Sequence, residues 1–294
     1  MKRISLLVFY LMIAVLGLAD NVVSASDDGL TVIVMDPLAK PLSCPCVEGY
    51  AQRDYNVLAK FLEKELGERV NLVFADALGT ALKGDAKGQA DVIIGKDSVI
   101  RFDAAEHKFT VTAVARLTDK DGLTTQNGLV VVASSDPAKK VADLSGYRIL
   151  FGPKECDEKH AAAMALLKKA KIAIPAKLEI DQSCSDGAAK VVELAADKKT
   201  RIAAVISSYA APLLEGCGTI KKGDLQVVGK TKPVPFVTAF TTNTVDAPRR
   251  ERIQKALLAV GDHRQICEAI ETLIGFVPIE PADEKTSTAS AKKK

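Results

Sequence analysis

The chain has no tryptophan, only fourteen aromatic residues (five Tyr and nine Phe) and three histidines among its 294 residues. Such scarcity argues against an aromatic platform for stacking sugars or bases. The formal charge is only +3. The first 25 residues and the segment from Asp283 onward carry that excess, and the body between them is near neutral. No electrostatic case for nucleic acid or an anionic membrane arises from such a body. Hydrolase and nucleotide-binding signatures are missing too: there is no G-x-S-x-G, no H-E-x-x-H and no P-loop. Cys156 and His160 stand four apart, close enough to approach on a helix, but no oxyanion donor or orienting third group accompanies them. A non-enzymatic protein is expected, with no cofactor implied. After residue 18 there is no second long apolar run.

What is present begins with an export signal. Lys2 and Arg3 precede an almost wholly apolar stretch from Ile4 to Leu18, and Val23-Ser24-Ala25 places small residues at a cleavage site. Residues 1–25 therefore read as a signal peptide, and the mature chain as exported, periplasmic or otherwise. About 270 mature residues suit two lobes rather than one simple domain. The final segment, 281–294, is polar and of low complexity, and is expected to be disordered. Six cysteines (44, 46, 156, 184, 217 and 267) in an exported chain favour disulfides. Cys44, Cys46, Cys156 and Cys184 also fall where they could converge as soft-metal ligands. No metal site is assigned.

The pattern from residue 30 alternates strands and helices. Leu30–Met35, Val70–Phe74 and Ala90–Gly95 are short β-branched runs; Tyr55, Leu58, Phe61, Leu62 and Leu66 recur at helical spacing up to Gly67. Such βαβα order implies parallel sheets with crossover helices. Further extended runs are Val111–Leu117, Gly128–Ala133, Arg148–Phe151, Lys177–Asp181, Ala203–Ile206, Leu225–Val228 and Phe236–Thr241. Helices are expected at Ala188–Ala196, Arg249–Val260 and Ile266–Ile274. A faint internal echo links Leu82–Gly95 with Val191–Ser208: helix, polar turn, then a strand ending in small or polar residues.

The stretch Arg148 to His160 stands out. A buried strand meets Gly152-Pro153, and Asp157 is expected to open a helix running from Glu158 to about Ala170. A strand delivering the chain to a helix N-terminus aims backbone N–H groups and a positive dipole end at the space beyond the sheet. In open α/β sheets ligands bind there.

Several of these segments resemble the phosphate/phosphite/phosphonate-binding proteins of ABC importers. The first helix, Tyr55 to Gly67, is similar to that family's first helix. Leu82–Gly95 resembles its Gly-containing turn and Ala-Asp-led strand. Ser135-Asp-Pro137, Asp143-Leu-Ser-Gly146 and Arg148–Gly152 resemble its entry into the second lobe, and Val234–Thr238 its return. The resemblance spans about residues 30–277 and implies a two-lobed α/β periplasmic-binding-protein fold. Each lobe would be a mostly parallel sheet flanked by helices, the two joined by crossover segments. Lobe one would comprise 26–132 and 233–280, and lobe two 133–232. It further implies a monomer that binds a small ligand between the lobes without catalysis, hands it to an ABC permease, and meets the membrane only through that partner.

Candidate ligand contacts follow from positions at strand ends and helix starts: Tyr50, Lys96, Ser98, Glu155, Cys156, Asp157, His160, Ser185, Asp186, Ser207 and Ser208. Arg53 and Asp54, beside Tyr50, and Tyr209, after Ser208, share such positions, whereas Thr124, Thr125 and Gln126 near the first crossover are weaker candidates. One departure matters. Where the family usually carries Ser/Thr hydroxyls at the second lobe's helix start, this chain has Lys154 to His160, including three carboxylates. A dianion would meet like charge there, so weak phosphonate binding is expected. The alternatives are a periplasmic accessory or sensory protein on the same fold, and a thiolate–histidine metal-binding protein.

Overall fold

The computed structural model describes residues 29–44, 47–48, 51–195, 197 and 200–280. The signal-peptide segment, Cys46, Tyr50 and the segment 281–294 lie outside the described residues.

The first sheet begins with β1 (Leu30–Met35), fully buried, whose alternating side chains serve two cores. Val32 and Val34 face a core built on helix α1 (Tyr55–Leu66). Ile33 and Met35 face another with α2 (Leu78–Lys83) and α3 (Asp97–Glu106). A period of two on a sheet covered on both faces dictates this division. Asp54 caps α1 by accepting from the Asn56 N–H, and Gly67 ends it in the left-handed region at φ 70°. Strands β2 (Val70–Phe74) and β3 (Val92–Lys96) flank β1 in parallel.

Strand β4 (Val111–Leu117) then leads to the short β5 (Thr125–Gln126), where the chain leaves the first sheet. The second sheet comprises β6 (Gly128–Ala133), β7 (Arg148–Phe151), β8 (Glu179–Ile180), β9 (Ile202–Ser207) and β10 (Leu225–Lys230). Its order is β10-β6-β9-β7-β8. Helices α4 (Ala161–Lys169), α5 (Cys184–Ala195) and α6 (Ala210–Gly216) surround it. The chain returns through β11 (Val234–Pro235), which pairs with β5, into β12 (Val237–Thr242). Helices α7 (Ala247–Ala259) and α8 (Arg264–Ala269) and strand β13 (Phe276–Val277) finish the first lobe. Its sheet reads β13-β4-β12-β3-β1-β2.

Two expectations need revision. The sheets are mixed rather than mostly parallel. Only β2-β1-β3 and β9-β7-β8 run parallel, because β4, β12, β6 and β10 run opposite to the neighbours they join. Strand β6 also belongs to the second sheet, through its bonds to β9 and β10. The first crossover therefore lies at Thr125–Gln126, upstream of the boundary at 132/133 expected from the sequence. No helix among the described residues is long and apolar enough to cross a membrane.

Candidate functional site

Both parallel halves aim their carboxyl ends at the space between the lobes. There, β3 ends at Lys96 and β9 at Ser207, while Asp36 follows β1 and Gly152 follows β7. A cavity of about 720 Å³ opens at this place, with lining from Met35, Leu38, Leu42 and Val99 of lobe one and Pro153, Tyr209 and Leu213 of lobe two. Its volume lies in the range of small-ligand sites.

The turn after β7 departs from the sequence reading. Helix α4 starts at Ala161 with His160 as its N-cap residue, three residues later than expected. Residues 153–160 wind through turns instead: the Cys156 N–H donates to Pro153 O, the Lys159 N–H to Cys156 O, and the Gly152 N–H to Lys159 O. Asp157 is exposed and does not serve as the N-cap. His160 bonds the Gly152 carbonyl through Nδ1 at 2.8 Å, which fixes the turn. His160, expected as a ligand contact, acts here as a strut and lies outside the cavity lining.

This winding turns Glu158 inward. Its side chain is fully buried and its Oε1 accepts from Lys96 Nζ at 2.6 Å and from Ser207 Oγ at 2.5 Å. Lys96 stands at the end of the first lobe's β3, and Ser207 at the end of the second lobe's β9. The two strands of the internal echo thus deliver one cation and one hydroxyl to the same oxygen. Burial pulls the Lys96 ammonium down, but Glu158 and then Cys156 outweigh it and hold its pKa above the ordinary 10.5. A second bridge crosses the lobes beside this clasp. Ser98 Oγ donates to Glu155 O at 2.7 Å and accepts from the Asp157 N–H at 3.3 Å.

The remaining candidates divide. Glu155, Cys156 and Ser185 line the cavity, as does Lys96, although Glu158 already holds its ammonium. Ser207 serves Glu158, Ser208 Oγ accepts from the Asn127 N–H beside the first crossover, and Asp186 is exposed outside the lining. Ser183, rather than Ser185 or Asp186, accepts an N–H in the first turn of α5, that of Asp186. Arg53 gives its Nη1 to Asp36 at 2.8 Å, and Tyr55 donates to the same carboxylate at 2.6 Å. Arg53 also lies over the Phe236 ring, which stacks on Tyr209 with centroids 4.8 Å apart. This pile of groups connects the end of β1, the return crossover and the second lobe.

Thiols line the cavity as well: Cys156, Cys184 and Cys217 are free, so the disulfides expected of them are not formed. Cys267, buried against the first lobe's core, is also free. Burial raises the Cys156 pKa above its ordinary 9.0 despite Lys96 and Lys159 nearby. Among the described residues no three of His, Cys, Asp and Glu are placed to hold a metal ion.

The geometry can be set beside known proteins. Residues 49–284 match the family model described as ABC transporter, phosphonate, periplasmic substrate-binding protein. The chain belongs to that family. No curated protein matches the sequence. Among solved structures, PhnD1 from Prochlorococcus marinus in complex with methylphosphonate aligns at TM-score 0.63 and 13% identity, covering 90% of this chain and 97% of that one. A binding-protein component of an ABC phosphonate transporter from Pseudomonas aeruginosa aligns at TM-score 0.63 and 11% identity, covering 88% and 84%. The periplasmic aliphatic sulphonate binding protein SsuA from Escherichia coli aligns at TM-score 0.57 and 16% identity, covering 89% and 85%. At these identities the likeness establishes the two-lobed fold.

Sequence reasoning named Tyr209 among its candidates but missed the placements of Lys159 and Glu158 in this family member's cleft. Lys159, at 5% exposure, lines the cavity beside Cys156. Tyr209 presents the aromatic surface that low aromatic content argued against. Glu158, expected as the first residue of the helix, is instead buried against Lys96 and Ser207. The Lys159 and Glu158 placements depend on how the turn winds, which no local spacing encodes. Tyr209 was legible because it stands two residues past the serine that ends β9.

Proposed function

We propose that the chain is an exported solute-binding protein of an ABC importer, which holds a small ligand in the interlobe cleft without catalysis and presents its closed lobes to a permease. The observation that carries this reading is the cavity enclosed by both lobes at the carboxyl ends of their parallel strands. Family membership and the β5–β11 pair, a natural hinge for two lobes, support it.

A second reading has its own support. The Lys96–Glu158–Ser207 clasp joins the lobes through protein groups alone. A lobe pair held shut in this way also suits an accessory or sensory protein of fixed shape that has left transport. For the metal-binding alternative, His160 gives its Nδ1 to the Gly152 carbonyl, and Cys46 lies outside the described residues.

Small-angle scattering of the mature protein, with and without a broad library of small solutes, separates the first two readings. For a transport protein, at least one solute raises the melting temperature and reduces the radius of gyration. Unchanged dimensions and melting across the library would overturn the transport reading in favour of the fixed-shape one.

A further inference from the structure

The cleft's charge balance narrows the ligand, given the solute-binding reading above. Lys159 is nine-tenths buried and lines the cavity. Its ammonium makes no hydrogen bond or ion pair with any described residue. Its stem is buried while its ammonium stays open to solvent at the cavity, which leaves it available to a counter-charge that enters there. Lys96 offers no such opening, because Glu158 already holds it. Ser98 is likewise committed to the turn across the cleft. The other charged groups on the lining are Asp76 and Glu155, both acids. Met35, Leu38, Leu42, Val99 and Leu213 make much of the rest apolar.

We infer that the cleft takes an amphiphilic monoanion: an organic acid with one negative charge, a carboxylate or sulfonate, its head group on Lys159 and its apolar body against the Met35–Leu38–Leu42–Val99–Leu213 surface. One cation compensates one charge. The second charge of a phosphonate dianion would find Asp76, Glu155 and a spent Lys96. The apolar lining rewards a hydrocarbon body, because each CH₂ it covers leaves water.

The test is calorimetry on the mature protein with hexane-1-sulfonate, hexanoate, hexan-1-ol and methylphosphonate. At least one of the two acids binds at least tenfold tighter than both hexan-1-ol and methylphosphonate. K159M weakens that acid at least tenfold and leaves the alcohol unchanged or improved, whereas K159R keeps most of the affinity. A melting curve for each variant establishes that it is folded, and if K159M is not, the K159R comparison and the ligand ranking still decide. Methylphosphonate binding as tightly as either acid would overturn the inference while leaving a solute-binding protein in place. So would an acid affinity that K159M does not change. If none of the four binds, the inference fails, and the scattering experiment then decides separately whether the solute-binding reading fails with it.

Discussion

Replacing either member of the Lys96–Glu158 pair should reveal how much the clasp holds. The two side chains are 6% and 0% exposed, with Nζ and Oε1 2.6 Å apart. Lys96→Met leaves a buried carboxylate served by Ser207 alone, and Glu158→Gln leaves a buried ammonium facing an amide. Removing one partner of a buried pair costs about 3–5 kcal/mol, because the other charge stays desolvated. The folded body has roughly 250 residues, for which each kcal/mol lowers the melting temperature by about 2–4 °C. Each single variant should therefore melt roughly 6–20 °C below the parent, with Glu158→Gln toward the smaller end, since its amide oxygen still accepts. The double variant carries no uncompensated charge and should recover part of the loss. A double-mutant cycle by urea unfolding should give a coupling of at least ~2 kcal/mol. The sign of the pH dependence follows from Lys96, whose pKa is raised in the fold. Its contribution is fully present below the unfolded value near 10.5 and is lost as pH rises through the higher folded value. The coupling should thus be flat across neutral pH and decline only above about pH 10.5. Single variants within ~1 kcal/mol of the parent, or additive effects, would refute a buried interlobe clasp.

Three further outcomes follow from the same geometry. Glu158→Ser frees Lys96 and supplies a hydroxyl of the sort the family usually places here; methylphosphonate should then bind at least tenfold better than to the parent, measured by calorimetry, and no gain would mean that Glu158 does not exclude the dianion. Gly128 opens β6 where a Cβ would collide with the Glu158 carbonyl, so Gly128→Ala should cost about 1–3 kcal/mol by denaturant unfolding, and a neutral result would mean the turn is not fixed against β6. Burial keeps the Cys156 thiol protonated at neutral pH, so its alkylation by iodoacetamide, followed by peptide mass spectrometry, should be slow at pH 7 and still accelerating past pH 9; a rate that levels off below pH 8 would contradict a raised pKa.

The elements legible in the sequence are those specified by local periodicity. Helix α1, with its apolar spacing and Gly67, runs over the expected residues, and so do β1, β2, β4, β6 and β7. Strand direction was less legible. Runs such as Gly128–Ala133 and Val237–Thr242 look alike whether they pair in parallel or antiparallel, and only the crossover at Thr125–Gln126 decides their sheet. Helices α3 and α6 were not anticipated as separate elements, because each follows a strand end without a Ser/Thr/Asp/Asn cap bond to mark its start.

The candidate site was read at the right place through an incomplete mechanism. Three carboxylates before α4 suggested that a dianion would be repelled. In the fold they act differently from one another: Asp157 faces solvent, Glu155 borders the cavity and gives its carbonyl to Ser98, and Glu158 is buried on Lys96 and Ser207. Glu158 therefore competes for the donors an anionic ligand would otherwise use, at a contact distance rather than through a diffuse field. Diffuse repulsion would be screened by salt, whereas a buried pair is screened far less. Preference against a dianion should consequently persist from low to high ionic strength. What the cleft retains for an anion is then set by Lys159, whose ammonium has no hydrogen-bond or ion-pair partner among the described residues, and by the apolar lining.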